Sequence, residues 1–388
     1  MKMNREAKPS KVVLIRCEDY DVGKVCAAVK KGIELLGGVN AFAAAGEKIL
    51  FKPNLLVADS PEKGSTTHPT VFQAVGELFK ESGAELFYGD SPGIGNPGRL
   101  IRQTGLKEKA DALNIRWAEF EKGETVSFPD ALLAKQLYLA VGALAADGIV
   151  SISKMKTHGF TRITGAVKNQ FGCIPGLRKS EYHVKMPDVY DFSRVLVDIN
   201  RYLKPRLYIM DGIMAMEGHS PRGGDLVNMK VLLFSTDPIA LDAVCCRLVD
   251  LNPECVPTAK IGRESGLGTY LANEIEICGD KVEELRNKDF DVVRRPPERL
   301  AASRSYPNFL KKFISPRPVI KEERCKNCGQ CVLQCPVDPK ALNWHGGDKK
   351  QKPTFIYERC IRCYCCQEMC PEKAIDVRVP LLGKLIYR

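Results

Sequence analysis

The chain has 388 residues, of which 44% are hydrophobic and 27% charged, with a formal net charge of +11. This composition is ordinary for a globular protein, and the length favours two or three domains. No apolar run approaches the ~20 residues that a membrane-spanning helix needs. The charged first eleven residues lack the apolar stretch of a signal peptide. These features predict a cytoplasmic protein with no membrane span.

Short apolar runs alternate with stretches of helical periodicity from residue 11 to about 280. Strands are predicted at 12–15, 49–51, 86–88, 115–117, 149–152, 207–210 and 231–234, and helices at 22–36, 70–82, 98–113 and 237–248. The apolar runs are typical of buried parallel strands. Asp237 and Pro238 form the acidic cap and first position of the last of these helices. The alternation predicts a three-layer α/β domain with a mostly parallel sheet over residues 1–290.

The composition of the chain changes between residues 291 and 320, where several prolines lie among basic residues and no hydrophobic periodicity is present. This composition predicts a linker or an arm that wraps around a neighbouring domain. Residues 286–318 hold nine Lys or Arg against three Asp or Glu. We do not expect nucleic acid to bind here, because no aromatic-interleaved stripe or zinc finger accompanies the charge. The segment is either a solvated connector or a docking surface for an acidic redox partner.

Eight of the nine cysteines after residue 320 form two runs of the same spacing, and each run is followed by proline. Both runs read C-x2-C-x2-C-x3-C-P, the bacterial ferredoxin spacing for [4Fe–4S] clusters. In this pattern the fourth cysteine of each run binds the other cluster. The predicted ligand sets are therefore Cys325, Cys328, Cys331 and Cys370 for one cluster, and Cys360, Cys363, Cys366 and Cys335 for the other.

The alternatives to two clusters fit less well. Zinc sites usually use two C-x2-C pairs separated by a longer loop, and disulfides need an oxidising compartment. The repeat predicts an α+β, ferredoxin-like 2[4Fe–4S] domain at 321–388, in which Cys365 is a bystander beside Cys366. Eight thiolates and two oxidised clusters would lower the net charge from +11 to about +7.

Polar residues of the large domain concentrate after the predicted strands. Because ligands bind at the carboxyl ends of strands in α/β sheets, these residues are candidates for a site. The cations are Lys52, Lys154, Lys156 and Lys168, with His68, His158 and His183, and the other polar groups are Asn54, Asp90, Ser91 and Asn169.

A cationic pocket of this kind suits a carboxylate or phosphate, and a histidine or desolvated lysine could pass protons. We predict catalytic roles for His68, His158, Lys156, Lys168 and His183. The predicted ligand- or cofactor-holding residues are Lys52, Asn54, Asp90, Ser91, Lys154 and Asn169. The opposing interpretation takes each residue singly. On that view Thr67 is only a helix cap, isolated lysines are solvated charges, and His219 and His345 are structural.

A glycine-rich stretch at 93–98 fits the dinucleotide-binding pattern G-x-G-x-x-G. Pro97 would remove one amide from a phosphate cradle, so a simple turn-forming loop is favoured. Flavin binding through a less recognisable site stays open.

The ordered series of motifs resembles the domain of unknown function 362 family. The motifs are Lys52-Pro53-Asn54, Thr67-His68-Pro69, Gly89-Asp90-Ser91-Pro92-Gly93, Lys154-Met155-Lys156-Thr157-His158, Gly165-Ala166-Val167-Lys168-Asn169, Asp211-Gly212-Ile213 and Asp237-Pro238-Ile239-Ala240-Leu241-Asp242. The resemblance covers nearly the whole chain. It implies an iron–sulfur protein, since members often carry a C-terminal ferredoxin domain, and it implies no substrate.

The sequence therefore predicts a ferredoxin-linked oxidoreductase. A soluble carrier would exchange electrons with the clusters, and the α/β domain would reduce a small anionic substrate. Two alternatives stay open. One is a lyase or isomerase whose clusters are structural or sensing, and the other is an electron-transfer adaptor without catalysis of its own.

Overall fold

The computed structural model describes residues 8–92, 96–176, 178–297, 315–344 and 347–380. We call residues 8–297 the large lobe and residues 315–380 the small lobe. The strands of the large lobe are β1 (Ser10–Arg16), β2 (Lys48–Pro53), β3 (Glu85–Tyr88), β4 (Arg116–Trp117), β5 (Gly123–Ser127), β6 (Gln136–Ala140), β7 (Gly148–His158), β8 (Arg162–Ile163), β9 (Leu207–Glu217), β10 (Asp225–Ser235) and β11 (Ile275–Gly279).

The helices of the large lobe cover both faces of its sheet. They are α1 (Val22–Glu34), α2 (Pro69–Lys80), α3 (Pro97–Gln103), α4 (Leu106–Ala112), α5 (Val141–Leu144), α6 (Gly165–Asn169), α7 (Arg178–Lys185), α8 (Val189–Leu203), α9 (Pro238–Leu248), α10 (Pro257–Glu264) and α11 (Val282–Leu285). No helix within the described ranges is long and apolar enough to cross a membrane.

The main sheet has the order β11-β1-β10-β9-β7-β2-β3-β4, with β8 paired to β7. Along this path only β10 runs against its neighbours, β1 and β9. All the other strands therefore end at the same edge of the sheet, which we call the carboxyl edge. This arrangement confirms the predicted, mostly parallel α/β sheet.

Alternate residues of each strand serve the two faces of the sheet. Val12 and Leu14 of β1 belong to the core under α8 and α9, whereas Val13 and Ile15 belong to the core under α1 and α2. Successive side chains of a strand point to opposite faces, so an apolar run of this kind fills both cores. The three predicted layers are present.

The predicted elements are found with two notable differences. The helix expected at 98–113 is wrong as one element, because it divides into α3 and α4 at Gly105. That glycine has a φ of 73°, a left-handed conformation that ends a helix. Strands β7, β9 and β10 each run for eleven residues, well past the apolar runs that predicted them.

The small lobe is built from short elements: β12 (Arg317–Ile320), α12 (Gln330–Leu333), β13 (Leu342–Asn343), β14 (Thr354–Phe355), α13 (Cys365–Glu368) and β15 (Ile375–Arg378). β12 pairs with β15 and β13 with β14, both antiparallel. The sheet of this lobe thus begins at residue 317, inside the stretch predicted as a linker. At the other end of that stretch, Val292 is buried in the core of the large lobe.

Candidate functional site

Lys52 and Asp90 form a fully buried ion pair at the carboxyl edge. Lys52 Nζ lies 3.1 Å from Asp90 Oδ1 and donates to the carbonyl of Pro53 and to Asn169 Oδ1. Asn169 in turn donates to Ser151 and to the Lys52 carbonyl. Asp90 Oδ2 accepts from the backbone N–H of Leu55 at 2.6 Å. Three of the predicted residues, from β2, the loop after β3 and α6, are thus held together.

A second buried ion pair joins Lys154 of β7 to Asp211 of β9, with Nζ and Oδ2 2.8 Å apart. Lys154 Nζ also donates to the hydroxyl of Tyr20, and that hydroxyl donates to Asp211 Oδ1. The ring of Tyr20 stacks on His68 with centroids 3.5 Å apart. Burial lowers the pKa of His68 to about 4, so this ring is neutral at physiological pH.

Lys156 lies within electrostatic reach of a member of each pair, Asp90 and Lys154. Its Nζ donates to Asn54 Oδ1 and to the Ser65 carbonyl, each at 2.7 Å. Burial first, and then the charges of Lys168 and Lys154, hold the pKa of Lys156 well below its ordinary value.

The interpretation of Thr67 as a helix cap is wrong. His68 is the cap of α2, and the Thr67 hydroxyl links the Asn54 N–H to the Ile152 carbonyl.

His158 ends β7 and is buried. Its Nδ1 accepts from the backbone N–H groups of Phe160 and Thr161, which places the proton of the neutral ring on Nε2. Nε2 lies 3.2 Å from Oε1 of Glu368, a residue of α13 in the small lobe. Burial holds the pKa of His158 well below its ordinary value and raises the pKa of Glu368 to about 7.

His183 on α7 is enclosed by Phe160, Phe171 and Phe192, and it stacks on Phe192 with centroids 4.5 Å apart. Burial lowers the pKa of His183 to about 3. Its Nδ1 has no hydrogen-bond partner among the described residues. His183 is therefore a neutral ring at physiological pH, within electrostatic reach of His158.

Lys168 differs from the other predicted lysines. It lies on α6 and is half-buried, and its ammonium makes no hydrogen bond or close ion pair with any described residue. Burial lowers its pKa, while Glu368 and Cys365 act to raise it. Asp242 of α9 anchors α6 by accepting from the N–H groups of Ala166 and Val167.

Sequence reasoning missed several residues of this edge. Tyr20 and Asp242 close the networks just described. Lys179 of α7 donates to the Ser91 carbonyl, and burial lowers its pKa to about 8. The Ser91 hydroxyl accepts from the Gly176 N–H. In the glycine-rich stretch, residues 93–95 lie outside the described residues, whereas Asn96 caps α3 and Pro97 is the first residue of that helix. His345 also lies outside the described residues.

The cysteines of the small lobe fall into two groups. A cavity is lined by Cys325, Cys328, Cys331 and Cys370, a set that draws its fourth member from the other run. Cys366 lies within electrostatic reach of Cys363, Cys360 and Cys335, and also of Cys331 from the first set. Among the described residues, no three or more Cys, His, Asp or Glu are arranged to hold a single metal ion. These groupings fit two four-cysteine cluster sites.

Both cysteine loops use the same backbone devices. Asn327 and Gly329 in the first loop, and Arg362 and Tyr364 in the second, have positive φ. The fourth cysteine of each run accepts a backbone N–H on its sulfur at 3.3 Å, from Ala341 in one half and from Ala374 in the other. Hydrogen bonds of this type tune iron–sulfur clusters.

The second cysteine run packs against the large lobe. Besides the His158–Glu368 contact, Arg222 donates to the Met369 carbonyl and Lys373 pairs with Asp225. Cys363, Cys366 and Cys370 are buried, whereas Cys328 of the first run is exposed. The run that begins at Cys360 is therefore the one that faces the carboxyl edge.

Comparison with known families assigns both lobes. The model of the family described as domain of unknown function (DUF362) matches residues 49–247, and the chain belongs to this family. A 4Fe-4S dicluster domain matches residues 324–374. The small lobe is therefore an iron–sulfur domain with an electron-transfer role, as the sequence predicted. The comparisons give no support to a flavin.

Three similar proteins place the two lobes in context. Thylakoid-associated protein sll1697 of Synechocystis sp. is 35% identical over 262 residues, 67% of this chain and 81% of that protein. Pyruvate synthase subunit PorD of Thermotoga maritima is 37% identical over 62 residues, 16% of this chain and 58% of that protein. The lactate racemase apoprotein from Thermoanaerobacterium thermosaccharolyticum matches 61% of this chain and 57% of its own at 12% identity, with a TM-score of 0.37. A structural likeness this weak carries no functional information.

Proposed function

We propose that this protein is a ferredoxin-linked oxidoreductase that reduces a small organic anion at the carboxyl edge of its large lobe. The observation that carries the proposal is the ammonium of Lys168. A half-buried charge without a partner is costly, and an anionic ligand would supply the missing partner. This ammonium lies within electrostatic reach of Glu368, which ends the helix that contains the proposed cluster ligand Cys366.

The proposed cluster ligands are the two four-cysteine sets predicted from the sequence, Cys325, Cys328, Cys331 and Cys370, and Cys360, Cys363, Cys366 and Cys335. The cavity lined by the first set and the proximity of the second set support this assignment. When bound, [4Fe–4S] clusters supply single electrons. The exposed Cys328 favours electron entry from a soluble carrier at the first run.

The remaining polar residues would divide into two roles. Two ion pairs, Lys52 with Asp90 and Lys154 with Asp211, would fix the shape of the edge. In each pair the two charges neutralise each other, so neither lysine is left to bind an anion. Lys156 and His158 are the proton-transfer groups we assign, because both are buried at this edge. Burial lowers the pKa of each, so either group would readily release a proton that it has taken up, and the neutral ring of His158 would first have to be protonated. Lys168 would hold the anion.

The test is anaerobic reoxidation of the reduced protein by defined organic anions. Protein reduced by a stoichiometric amount of dithionite would be mixed with fumarate, crotonate or 2-oxoglutarate, and the visible cluster absorbance followed. We expect at least one of these anions to reoxidise the wild type, and Lys168→Met to lower kcat/KM by about 100-fold, the scale of a lost charge-assisted contact. Lys185→Met is the matched control, since Lys185 is exposed on α7.

Three results would overturn the proposal. Equal rates in Lys168→Met and wild type would exclude the anion site. Reoxidation by a carrier protein but by no organic anion would favour the adaptor function, and turnover with the clusters held oxidised would favour a lyase or isomerase.

A further inference from the structure

A cavity of about 420 Å³ lies between the two lobes, apart from Lys168. Its large-lobe wall comes from the β7–β8 turn and from residues 291–297, and its small-lobe wall from the second cysteine loop and β15. Cavities of roughly 300–1,000 Å³ are typical of small-molecule sites. The space therefore has the size of a ligand site and joins the large lobe to the loop that holds Cys363.

About half of the residues that line this cavity are apolar. Phe160, Val189 and Val292 line one side, and Tyr364 and Val377 line the other. Both sides contribute aromatic rings, which favours a ligand with an apolar, ring-containing body.

The polar groups of the cavity include both acceptors, on Asp291, Asp376 and Gln367, and cationic donors. Arg162, Arg295 and Arg362 line it, and Nη1 of Arg362 is buried with no hydrogen-bond partner among the described residues. His158 also borders the cavity, but its Nε2 faces Glu368 Oε1 at 3.2 Å, so the unpaired donor of the cavity is on Arg362. Buried donors left unpaired are costly, so a ligand in this space should present an acceptor oxygen.

The comparison of the two cysteine loops provides an independent indication that this cavity binds a ligand. Gly329 and Tyr364 occupy equivalent positions, and both have left-handed backbones, with φ of 73° and 59°. Glycine adopts this conformation freely, whereas a tyrosine there is strained. The second loop therefore accepts strain in order to place an aromatic ring in the cavity wall.

We infer that the interlobe cavity is a second ligand site, which binds a small aromatic molecule through an acceptor oxygen facing Arg362. The oxygen belongs either to a quinone carbonyl or to a carboxylate. Arg362 and Tyr364 flank Cys363 in the chain, so a molecule bound here contacts the loop of the second cluster directly.

The test measures binding by equilibrium dialysis on the anaerobic holo-protein, with menadione as the quinone and 2-naphthoate as the carboxylate. We expect one-to-one binding of at least one probe, and the stronger of the two identifies the oxygen. Val293→Trp should weaken that probe at least tenfold by filling the cavity, because Val293 lines it and is 51% exposed. Val22→Trp is the control, since Val22 is 44% exposed at the start of α1.

A second variant keeps the inference testable if the Val293→Trp protein does not fold. Arg362→Gln should weaken the same probe about tenfold, with iron content unchanged. Lys168→Met should leave probe binding unaltered, because Lys168 does not line the cavity, and this separates the inference from the proposed function. Failure of both probes to bind, or equal affinity in Val293→Trp and wild type, would overturn the inference.

Discussion

Nε2 of His158 in the large lobe lies 3.2 Å from Oε1 of Glu368 in the small lobe, and both side chains are buried. Glu368 is the last residue of α13, which contains Cys366, and His158 ends the central strand β7. This contact joins the cluster-bearing helix to the carboxyl edge of the sheet. The position of one lobe against the other therefore depends on a buried polar pair as well as on apolar packing.

Reversing the charge at Glu368 should destabilise the docked state. A lysine at 368 would place a second ammonium beside Lys168 in a buried position, at a cost of about 3 kcal/mol or more. We expect a lower midpoint of urea unfolding under anaerobic conditions. Glu358→Lys is the matched control, because Glu358 is exposed in the same lobe. Coincident unfolding curves for the two variants would show that this contact contributes nothing to the docking.

Gly172 should be intolerant of even one methyl group. A Cβ at this position would lie 1.8 Å from Asp90 Oδ1 and 2.7 Å from Lys52 Nζ, so Gly172→Ala would force the buried ion pair apart. We expect a loss of about 3–5 kcal/mol in the free energy of unfolding, the range for a broken buried pair. The measurement is urea denaturation followed by far-UV circular dichroism.

The matched control for this change is Gly23→Ala in the first turn of α1. There the new Cβ would meet only Asp21 Oδ1, at 3.4 Å. Alanine is a better helix former than glycine, so this variant should be as stable as the wild type or slightly more stable. A Gly172→Ala protein of wild-type stability would mean that the Lys52–Asp90 pair can rearrange without cost.

Asp242 should make stability depend on pH. Burial raises the pKa of this carboxyl to about 7, from about 3.9 in an unfolded chain. The folded state therefore binds the proton more tightly, and the contribution is complete below pH 4 and lost as the pH rises to 7. At about 1.4 kcal/mol for each pKa unit, the loss amounts to a few kcal/mol.

Asp242→Asn removes this titration while it keeps the side chain's size. The difference in unfolding free energy between wild type and variant should shift in favour of the variant from pH 5 to pH 8. Taking the difference between wild type and variant cancels the contributions of the other titrating groups, which the two proteins share. Asp289→Asn serves as the control, because Asp289 is exposed. A difference that does not change with pH would show that Asp242 is ionised throughout.

The carboxyl edge was predictable because parallel strands must end together. Lys52, Asp90 and Lys154 each follow or end an apolar run, and the parallel pairing of β2 with β3 and β7 brings them to one place. The sequence could not show that Lys52 and Lys154 are neutralised by partners while Lys168 is not. That distinction depends on side-chain contacts across the sheet, such as the one between Lys154 and Asp211.

The residues missed from the sequence make contacts between distant parts of the chain. Tyr20 and Asp211 are 191 positions apart, although Tyr20 does follow β1 and could have been grouped with the other strand-end residues. Glu368 gave no such signal. Its equivalent in the first cysteine run is Leu333, which is 60% exposed. The repeat therefore predicts two similar halves and does not reveal which half docks on the large lobe.

Cys365 and Cys366 offer a paired test of the cluster ligands. Cys366 belongs to the proposed set with Cys360, Cys363 and Cys335, whereas Cys365 is predicted to bind no iron. Wild type should contain about eight iron and eight sulfide ions per chain, four of each for every [4Fe–4S] cluster. We expect Cys365→Ser to keep this content and Cys366→Ser to fall to about four of each, measured by colorimetric assay on anaerobically reconstituted protein. Equal losses in both variants would place Cys365 among the ligands, and about four ions in the wild type would contradict the two-cluster assignment.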